Sequence, residues 1–419
     1  MVGLNMNTRP VSGLIQRRWA LPAVLFVVAG LIYWLSARLL GRTHSPDTAY
    51  FNDLADAFLH GRLYLAKPPA RYDLTQYKGK WYVPFPPLPT LLMLPWVAAF
   101  GLKWMNTVVF GAVVGAANVT FAFLLLQSLA RRGWTGLQRS GNLWLTVLFG
   151  VGSVHWYVAT QGSVWFVSQL CTLTFILLAA WLAVATDAPL LSGAALALAM
   201  LGRPHVALCY PLLLGIHMQH AQDRMQDRSA WRWLRWGAFA LVPLALSGAA
   251  LLAYNAARFD NPLDFGYLRQ NVSSDLAADL RRYGQFNLHY VPHNVWAMLL
   301  SGPAWDAKRN LILPTVYGMS LLLTTPALVY LLNAFCRSPL VIGAWVATAL
   351  ILVPLLTYYN TGWWQFGYRF SLDFMTPVLI LLAVGAGANV GWKLRALILL
   401  GVVVNAWGTW WFQNPRFFS

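Results

Sequence analysis

Between residues 45 and 89 the chain reads SPDTAYFNDLADAFLHGRLYLAKPPARYDLTQYKGKWYVPFPPLP, which holds Asp47, Asp53, Asp56 and Asp73, four of the protein's 13 acidic residues. A carboxylate beside an apolar segment has two ordinary roles. It caps or solvates a helix, or it takes a proton from a reacting hydroxyl. Asp47 follows Ser45 and Pro46 just past the first apolar run, where a helical pattern begins. On pattern alone its two readings, N-cap and general base, stand level. From 48 to 60, Tyr50, Phe51, Leu54, Ala55 and Phe58 form one apolar stripe at helical spacing, with Asp53, Asp56 and His60 opposite. That pattern predicts an amphipathic helix on a membrane surface, with Asp53 and Asp56 on its solvated face.

Further along, Arg369 precedes Asp373 by four residues at the edge of an apolar segment starting near residue 374. Such a pair either anchors a helix end as an ion pair or leaves a forked guanidinium free to grip a phosphate. An arginine at membrane depth is costly, which favours the second use. Arg203, in the tight turn Gly202-Arg203-Pro204, is a weaker candidate of the same kind, because a long cation can also snorkel to the interface. His289 and His293 have the spacing of two zinc ligands on a helix, but Pro292 stands between them and no zincin-type glutamate follows. They are better read as part of a loop that folds over a substrate. Trp363 and Trp364 suit a membrane-interface belt or a sugar-stacking platform. Cys171, Cys209 and Cys336 are too scattered for a metal site or a disulfide framework.

The elements that must position these groups are membrane helices. The 419 residues are 58% hydrophobic and 10% charged, far below the quarter or so of charged residues usual in soluble domains. A formal net charge of +17 would suggest nucleic acid in a soluble protein; here it fits short basic loops facing anionic lipid. The first apolar run, 19–40, is too long for a cleaved signal core and is read as a retained span. The positive-inside rule, applied to Arg9, Arg17 and Arg18, puts the N-terminus in the cytoplasm and residues 41–103 outside.

Topology turns on the segment 85–101. It is short for a span and carries prolines at 86, 87, 89 and 95. If it does not cross, the short loops bearing Arg131, Arg132 and Arg139, then Arg224, Arg228, Arg232 and Arg235, then Arg337, and then Lys393 and Arg395 all fall inside. Spans are then expected near 104–130, 142–158, 164–186, 189–201, 204–218, 234–257, 315–335, 340–358, 374–388 and 394–412. With the first run this gives an all-α polytopic membrane protein of about eleven helices, a single domain over 1–419. The long polar loops, 41–103, 258–313 and 358–373, lie on one face. No repeat or paired broken span suggests alternating access.

Residues 45–101 resemble the first outer loop of GT-C fold glycosyltransferases, in particular protein O-mannosyltransferase-like and aminoarabinose-transferase-like enzymes of the family 39 type. That family has an acid just after the first span, an amphipathic helix, a glycine-containing turn, and a Tyr-x-x-Lys-Pro-Pro-Leu run opening a second surface helix. The corresponding residues here are Pro46-Asp47-Thr48, then Leu59-His60-Gly61-Arg62-Leu63-Tyr64, then Tyr82-Val83-Pro84-Phe85-Pro86-Pro87-Leu88. The resemblance implies an inverting transfer of a sugar from a polyprenyl phosphate to a hydroxyl on a glycan, lipid or protein at the outer face. It makes Asp47 the general base; beside it Tyr82, Lys80, Arg203, Arg369, His289 and His293 stand as candidates for binding substrate.

Two departures from the family matter. Phe85 replaces the motif lysine, so that phosphate contact is missing, and Lys80 and Arg71 are the candidates to substitute for it. The second outer loop, 155–169, has no acid, so a tight divalent-metal site is not expected. The rival expectations are a transporter or flippase of lipid-linked sugar, polar along a path through the bilayer, and a non-catalytic scaffold of the same fold.

Overall fold

The computed structural model describes residues 11–225, 229–362 and 364–413, with side chains from Trp19 to Phe412 within those limits. Arg9, Arg228 and Trp363 lie outside the described residues, as do the side chains of Arg17 and Arg18. The chain is mostly helical. Six helices among the described residues are long and apolar enough to cross a membrane: 19–39, 107–131, 164–186, 230–259, 339–357 and 392–412.

Helix α1 (Val11–Leu39) leads into the first loop, where α2 (Tyr50–Leu59), a hairpin of β1 (Thr75–Tyr77) and β2 (Lys80–Tyr82), and α3 (Leu88–Phe100) follow. The loop closes on itself at its base. Ser45 Oγ accepts from Thr107 N–H (2.9 Å) and donates to Met105 O (3.3 Å), and Asn106 Nδ2 donates to Thr43 O (2.7 Å). Both ends of the 45–105 stretch therefore sit at one end of the bundle. The 13-residue α3 packs on α2.

Next come α4 (Thr107–Arg131), α5 (Arg139–Val151), α6 (His155–Ala159), α7 (Val164–Thr186) and α8 (Pro189–Met200). Helix α4 starts on Asn106, whose Oδ1 accepts the N–H groups of Val108 (3.0 Å) and Val109 (3.2 Å) that the first turn leaves unpaired. Helix α7 is apolar on every side and is the most buried of the six long helices, as a central helix must be. It packs between α4 and α8. The segment expected as one span over 142–158 is instead two helices, because Gly152-Ser153 interrupts it.

Helices α9 (Tyr210–Asp223) and α10 (Ala230–Phe259) precede the long loop, which contains α11 (Ser274–Tyr283), α12 (Val291–Val295) and a hairpin of β3 (Ala304–Asp306) and β4 (Leu311–Leu313). The span expected over 315–335 is broken. α13 (Leu321–Thr324) stops at Thr325, and a 3-10 stretch, Pro326–Asn333, continues after a proline that has no N–H to extend the helix. Helices α14 (Pro339–Thr357), α15 (Met375–Gly385) and α16 (Trp392–Gln413) complete the chain.

Small residues set the closest helix contacts, as in lipid, where packing rather than hydrophobic exclusion joins helices. A Cβ added at Gly215 of α9 would lie 2.9 Å from the Cα of Gly343 in α14, and a Cβ at Gly343 would lie equally close to Gly215. At Gly193 of α8 it would collide with the carbonyl of Ala240 in α10.

The loops gather at two ends. Arg132 donates to the carbonyls of Val184 and Ala185, Arg224 pairs with Asp187, Trp134 Nε1 donates to Asp223, and Gly136 packs against Ala388. The short basic loops thus share one end. The long loops 41–103, 258–313 and 358–373 share the other.

Candidate functional site

At the long-loop end lies a cavity of about 560 Å³. It is walled by the first loop, the 157–168 stretch, the turn at 202–205, the long loop at 265–286, and residues 354–370. Asp73 is the one acid that lines it among the described residues; Arg42, Arg203 and Arg369 are the cations.

Asp73 is placed by pairing between two loops far apart in sequence. It adopts a left-handed backbone (φ 61°), which aspartate tolerates, at the turn before β1. Its N–H donates to Asn271 O (2.8 Å), and Gln270 Nε2 donates to its carbonyl (3.0 Å). Thr75 bridges to Gln270 and donates through Oγ1 to Gly266 O (2.9 Å). Gly266 itself has φ 83°, and a Cβ there would meet the Phe259 ring at 2.7 Å, so only glycine fits. So held, Asp73 Oδ2 accepts from Trp165 Nε1 (2.7 Å). Burial pushes its carboxyl up to about 7, against the opposing pull of the Trp165 hydrogen bond and the Arg369 charge.

Arg369 opens the 3-10 turn Arg369–Asp373 and is buried. The i,i+4 ion pair with Asp373 does not form. Instead Asp373 Oδ2 accepts from Arg203 Nε (2.9 Å) and lies 2.9 Å from His205 Nε2. Burial alone would raise Asp373, but Arg203 and His205 outweigh it and hold the carboxyl below its ordinary range. Arg369 is left with neutral partners. Nη1 donates to Gln169 Oε1 (3.1 Å), the guanidinium lies over the rings of Phe370 (4.7 Å) and Phe166 (5.4 Å), and Nε is buried with no partner. Burial, and then the nearby Arg203 charge, lower it to about 10. Arg42, three residues past α1, likewise has no carboxylate partner among the described residues, with its Nε buried and unpaired. Burial lowers its pKa also.

The remaining sequence candidates lie away from these groups. Asp47 is exposed and is not part of the cavity wall. It does not cap α2, whose N-cap is Ala49 without a side-chain bond. Its neighbours touch residues that alternate with wall residues: Pro46 packs beside Gly162, and Thr48 O accepts from Val164 N–H (3.0 Å). On α2, Asp53 is half-buried and pushed up to about 6, first by burial and then by Asp56, while Asp56 pairs with Arg62 (3.8 Å). Lys80 is exposed, with Nζ 4.4 Å from the centre of the Tyr64 ring, and Tyr82 packs edge-on against Phe259. His289 and His293 are exposed, stacked on Tyr283 and Trp296 respectively. Among the described residues no three His, Cys, Asp or Glu side chains are grouped to hold an ion. Phe85, at the position of the motif lysine, does line the cavity, edge-on to Tyr267.

The structure therefore brings Arg203 and Arg369 together and adds Asp73, Arg42, His205 and Asp373 to them. The sequence marked Asp73 only as a loop acid. The signal for Arg42 was its place as the first charge after the apolar run, five residues before Asp47. The acid-free stretch 155–169 contributes Gln169 to Arg369 and Trp165 to Asp73, which are contacts by neutral groups.

No protein-family model matches the chain, and no curated protein matches it. Among solved structures it is similar to ArnT from Cupriavidus metallidurans bound to undecaprenyl phosphate, with TM-score 0.45 and 14% identity over 90% of this chain and 60% of that one. The apo state of the same protein gives TM-score 0.45 and 17% identity over 87% of this chain and 59% of that one. The archaeal oligosaccharyltransferase AglB from Archaeoglobus fulgidus, in complex with an inhibitory peptide and a dolichol-phosphate, gives 0.44 and 13% over 96% of this chain and 56% of that one.

Proposed function

We propose that the chain is an inverting glycosyltransferase that moves a sugar from a polyprenyl phosphate to an acceptor hydroxyl. The observation that carries this reading is the pairing, in one cavity, of a carboxyl raised to about 7 with two arginines that have no carboxylate partner. A base whose pKa lies near the working pH is about half ionised there and accepts a proton readily. Unpaired guanidiniums suit a phosphate that gains charge as it leaves.

In the proposed reaction Asp73 takes the acceptor's hydroxyl proton as that oxygen bonds to the anomeric carbon. The bond from that carbon to the phosphate oxygen breaks, and its electron pair stays with polyprenyl phosphate, against Arg369 and Arg42. Arg203, tied to Asp373, fixes the wall beside Arg369 and adds positive potential. Asp47, the base implied by resemblance, remains the second candidate. The observation in its favour is that the residues on either side of it touch Gly162 and Val164, which alternate with the wall residues Gln161, Ser163 and Trp165.

The short basic loops gather at the opposite end, so the positive-inside rule puts the cavity on the extracytoplasmic side and the N-terminus in the cytoplasm. The resemblance of residues 45–101 to GT-C enzymes supports the same assignment.

The test is transfer by purified protein in proteoliposomes given a panel of polyprenyl-phosphate sugars and a crude envelope acceptor. Release of polyprenyl phosphate is the readout. Transfer that is lost in Asp73→Asn and kept in Asp47→Asn supports Asp73 as base, and the reverse supports Asp47. Donor that crosses the bilayer without transfer would replace this reading with a flippase.

A further inference from the structure

The hairpin of β3 and β4 leaves the protein beside a membrane segment, at the cavity end of the bundle. Three hydrogen bonds tie its foot there. Ser320 N–H donates to Ser301 O (2.7 Å), Ser320 Oγ donates to Leu299 O (2.7 Å), and Ser301 Oγ donates to Gly318 O (2.6 Å). Ser320 is the N-cap of α13. Leu322 and Leu323 in α13, and Leu332 and Phe335 further along the same segment, are all exposed, so this flank of the bundle faces lipid. Leu299 and Leu300, at the foot, are exposed at the level of the α13 N-terminus.

From that foot the two strands project with an apolar face uncovered. Trp305 pairs across the hairpin with Ile312, so both side chains stand on one face. They are 60% and 53% exposed, and Leu300 at the foot is 71% exposed. The other face carries Asp306 opposite Leu311. A lone two-stranded hairpin is marginal in water, and an exposed apolar patch marks a contact. The turn supplies a cationic tip. Asp306 Oδ1 accepts from the N–H groups of Lys308 (2.9 Å) and Arg309 (3.2 Å), Arg309 pairs with Asp306 (3.7 Å), and Lys308 is exposed. Tryptophan set beside lysine and arginine is suited to the interfacial layer of a bilayer. Strand edges leave backbone groups unpaired, which bars the hairpin from the hydrocarbon and holds it at headgroup depth.

We infer that the hairpin docks on the lipid leaflet at the cavity end of the bundle: Trp305 and Ile312 enter the boundary between headgroups and acyl chains, and the Lys308–Arg309 tip meets lipid phosphates. Lipid is the occupant because the apolar face continues, through Leu299 and Leu300, the flank that already faces lipid. The contact also reaches the cavity. In the turn that the foot holds, Val316 O accepts from the N–H groups of Trp364 (2.9 Å) and Gln365 (3.1 Å), and Gln365 Oε1 accepts from Arg369 N–H (3.1 Å). The inference stands apart from the glycosyl-transfer reading and is tested without activity.

The experiment places a spin label on one introduced cysteine at a time in the full chain. The variants are Ile312→Cys, Leu311→Cys and Lys308→Cys on the hairpin, Val403→Cys on the exposed side of α16 as a lipid reference, and Lys67→Cys in the first loop as an aqueous reference. Each is made with Cys336→Ser, since Cys171 and Cys209 are buried. The protein is reconstituted in phosphatidylethanolamine–phosphatidylglycerol vesicles. The readout is the ratio of collisions with oxygen, which concentrates among acyl chains, to collisions with a water-soluble nickel chelate. The ratio at 312 should exceed that at 67 severalfold and approach that at 403. It should fall severalfold at 311, on the opposite face, and reach the aqueous value at 308. A ratio at 312 equal to that at 67 puts the hairpin in water and overturns the inference. Equal, high ratios at 311 and 312 overturn the one-faced placement. Spin–spin broadening at 312 that vanishes on dilution with unlabelled protein overturns it too, because a second copy of the chain is then the occupant.

Discussion

The two ends of the helix bundle use the same residue types to opposite effect. At the end with short basic loops, the charged groups Arg132, Asp187 and Arg224 have partners, although His217 Nε2 is itself buried without one. Asp187, in a left-handed C-cap position of α7, is bonded by His217 Nδ1 (2.8 Å) and Arg224 Nη1 (3.5 Å), and its carbonyl accepts from Trp236 Nε1 (3.0 Å). Arg132 closes the same helix end by donating to its last carbonyls. At the cavity end, Arg369 and Arg42 have buried Nε atoms without partners, and Asp73 is buried with one tryptophan N–H in place of a cation. Burying a charge without a counter-charge is expensive. The first arrangement stabilises a fold, and the second keeps charges available for a ligand that brings its own.

The sharpest way to break this contrast is at Asp73. Asp73→Asn keeps the shape and the turn but removes the base, so kcat should fall by about 10²- to 10⁴-fold, with donor binding retained. Flotation of the protein with donor-loaded vesicles measures the binding separately. A fall in donor affinity alone would make Asp73 a binding group.

Next in size is Arg369→Gln. It removes the charge while keeping a hydrogen-bonding group, and kcat should drop by about 10²-fold, as when a donor to a developing oxyanion is lost. Arg369→Lys restores the charge but not the fork and should recover only part of that loss.

At the opposite end Asp187→Asn should do the reverse. It weakens the bonds from His217 and Arg224 and should cost about 1–3 kcal/mol in thermal unfolding in detergent. The specific activity of the protein that remains folded should be unchanged. Lost activity at full stability would mean that the two ends are coupled.

The smallest effect is a pH shift. Trp165→Phe keeps the ring and deletes the N–H that stabilises the Asp73 carboxylate. That hydrogen bond lowers a carboxyl already raised by burial to about 7, so its loss raises the carboxyl further. The base works only when ionised, so the acidic limb of the pH–rate profile should move to higher pH, with the plateau rate nearly kept. An unmoved limb would separate the titrating group from Asp73.

Much of the architecture follows from the sequence alone. Length and unbroken apolarity fix helices such as α7 and α14. The prolines and short length of α3 set it apart from the long apolar helices, and the positions of arginines sort the loops to two ends. These are properties of consecutive residues in a solvent that forbids unpaired backbone, so pattern carries them. Periodicity also placed the buried stripe of α2, and the cost of an arginine at membrane depth picked out Arg369 and Arg203. Breaks were harder to see: Gly152-Ser153 and Pro326 divide runs whose hydropathy is continuous. What only the tertiary structure decided is which charges are answered. Asp73 faces the cavity because Gln270, Asn271 and Trp165 hold it, Asp373 belongs to Arg203 and His205 rather than to Arg369, and Asp47 points to solvent. Those pairings join residues from 92 to 198 positions apart, across loops whose local sequence is equally polar whichever way they fold. Charge pairing depends on distance in space and on exclusion of water, and neither is encoded in the spacing of residues along the chain.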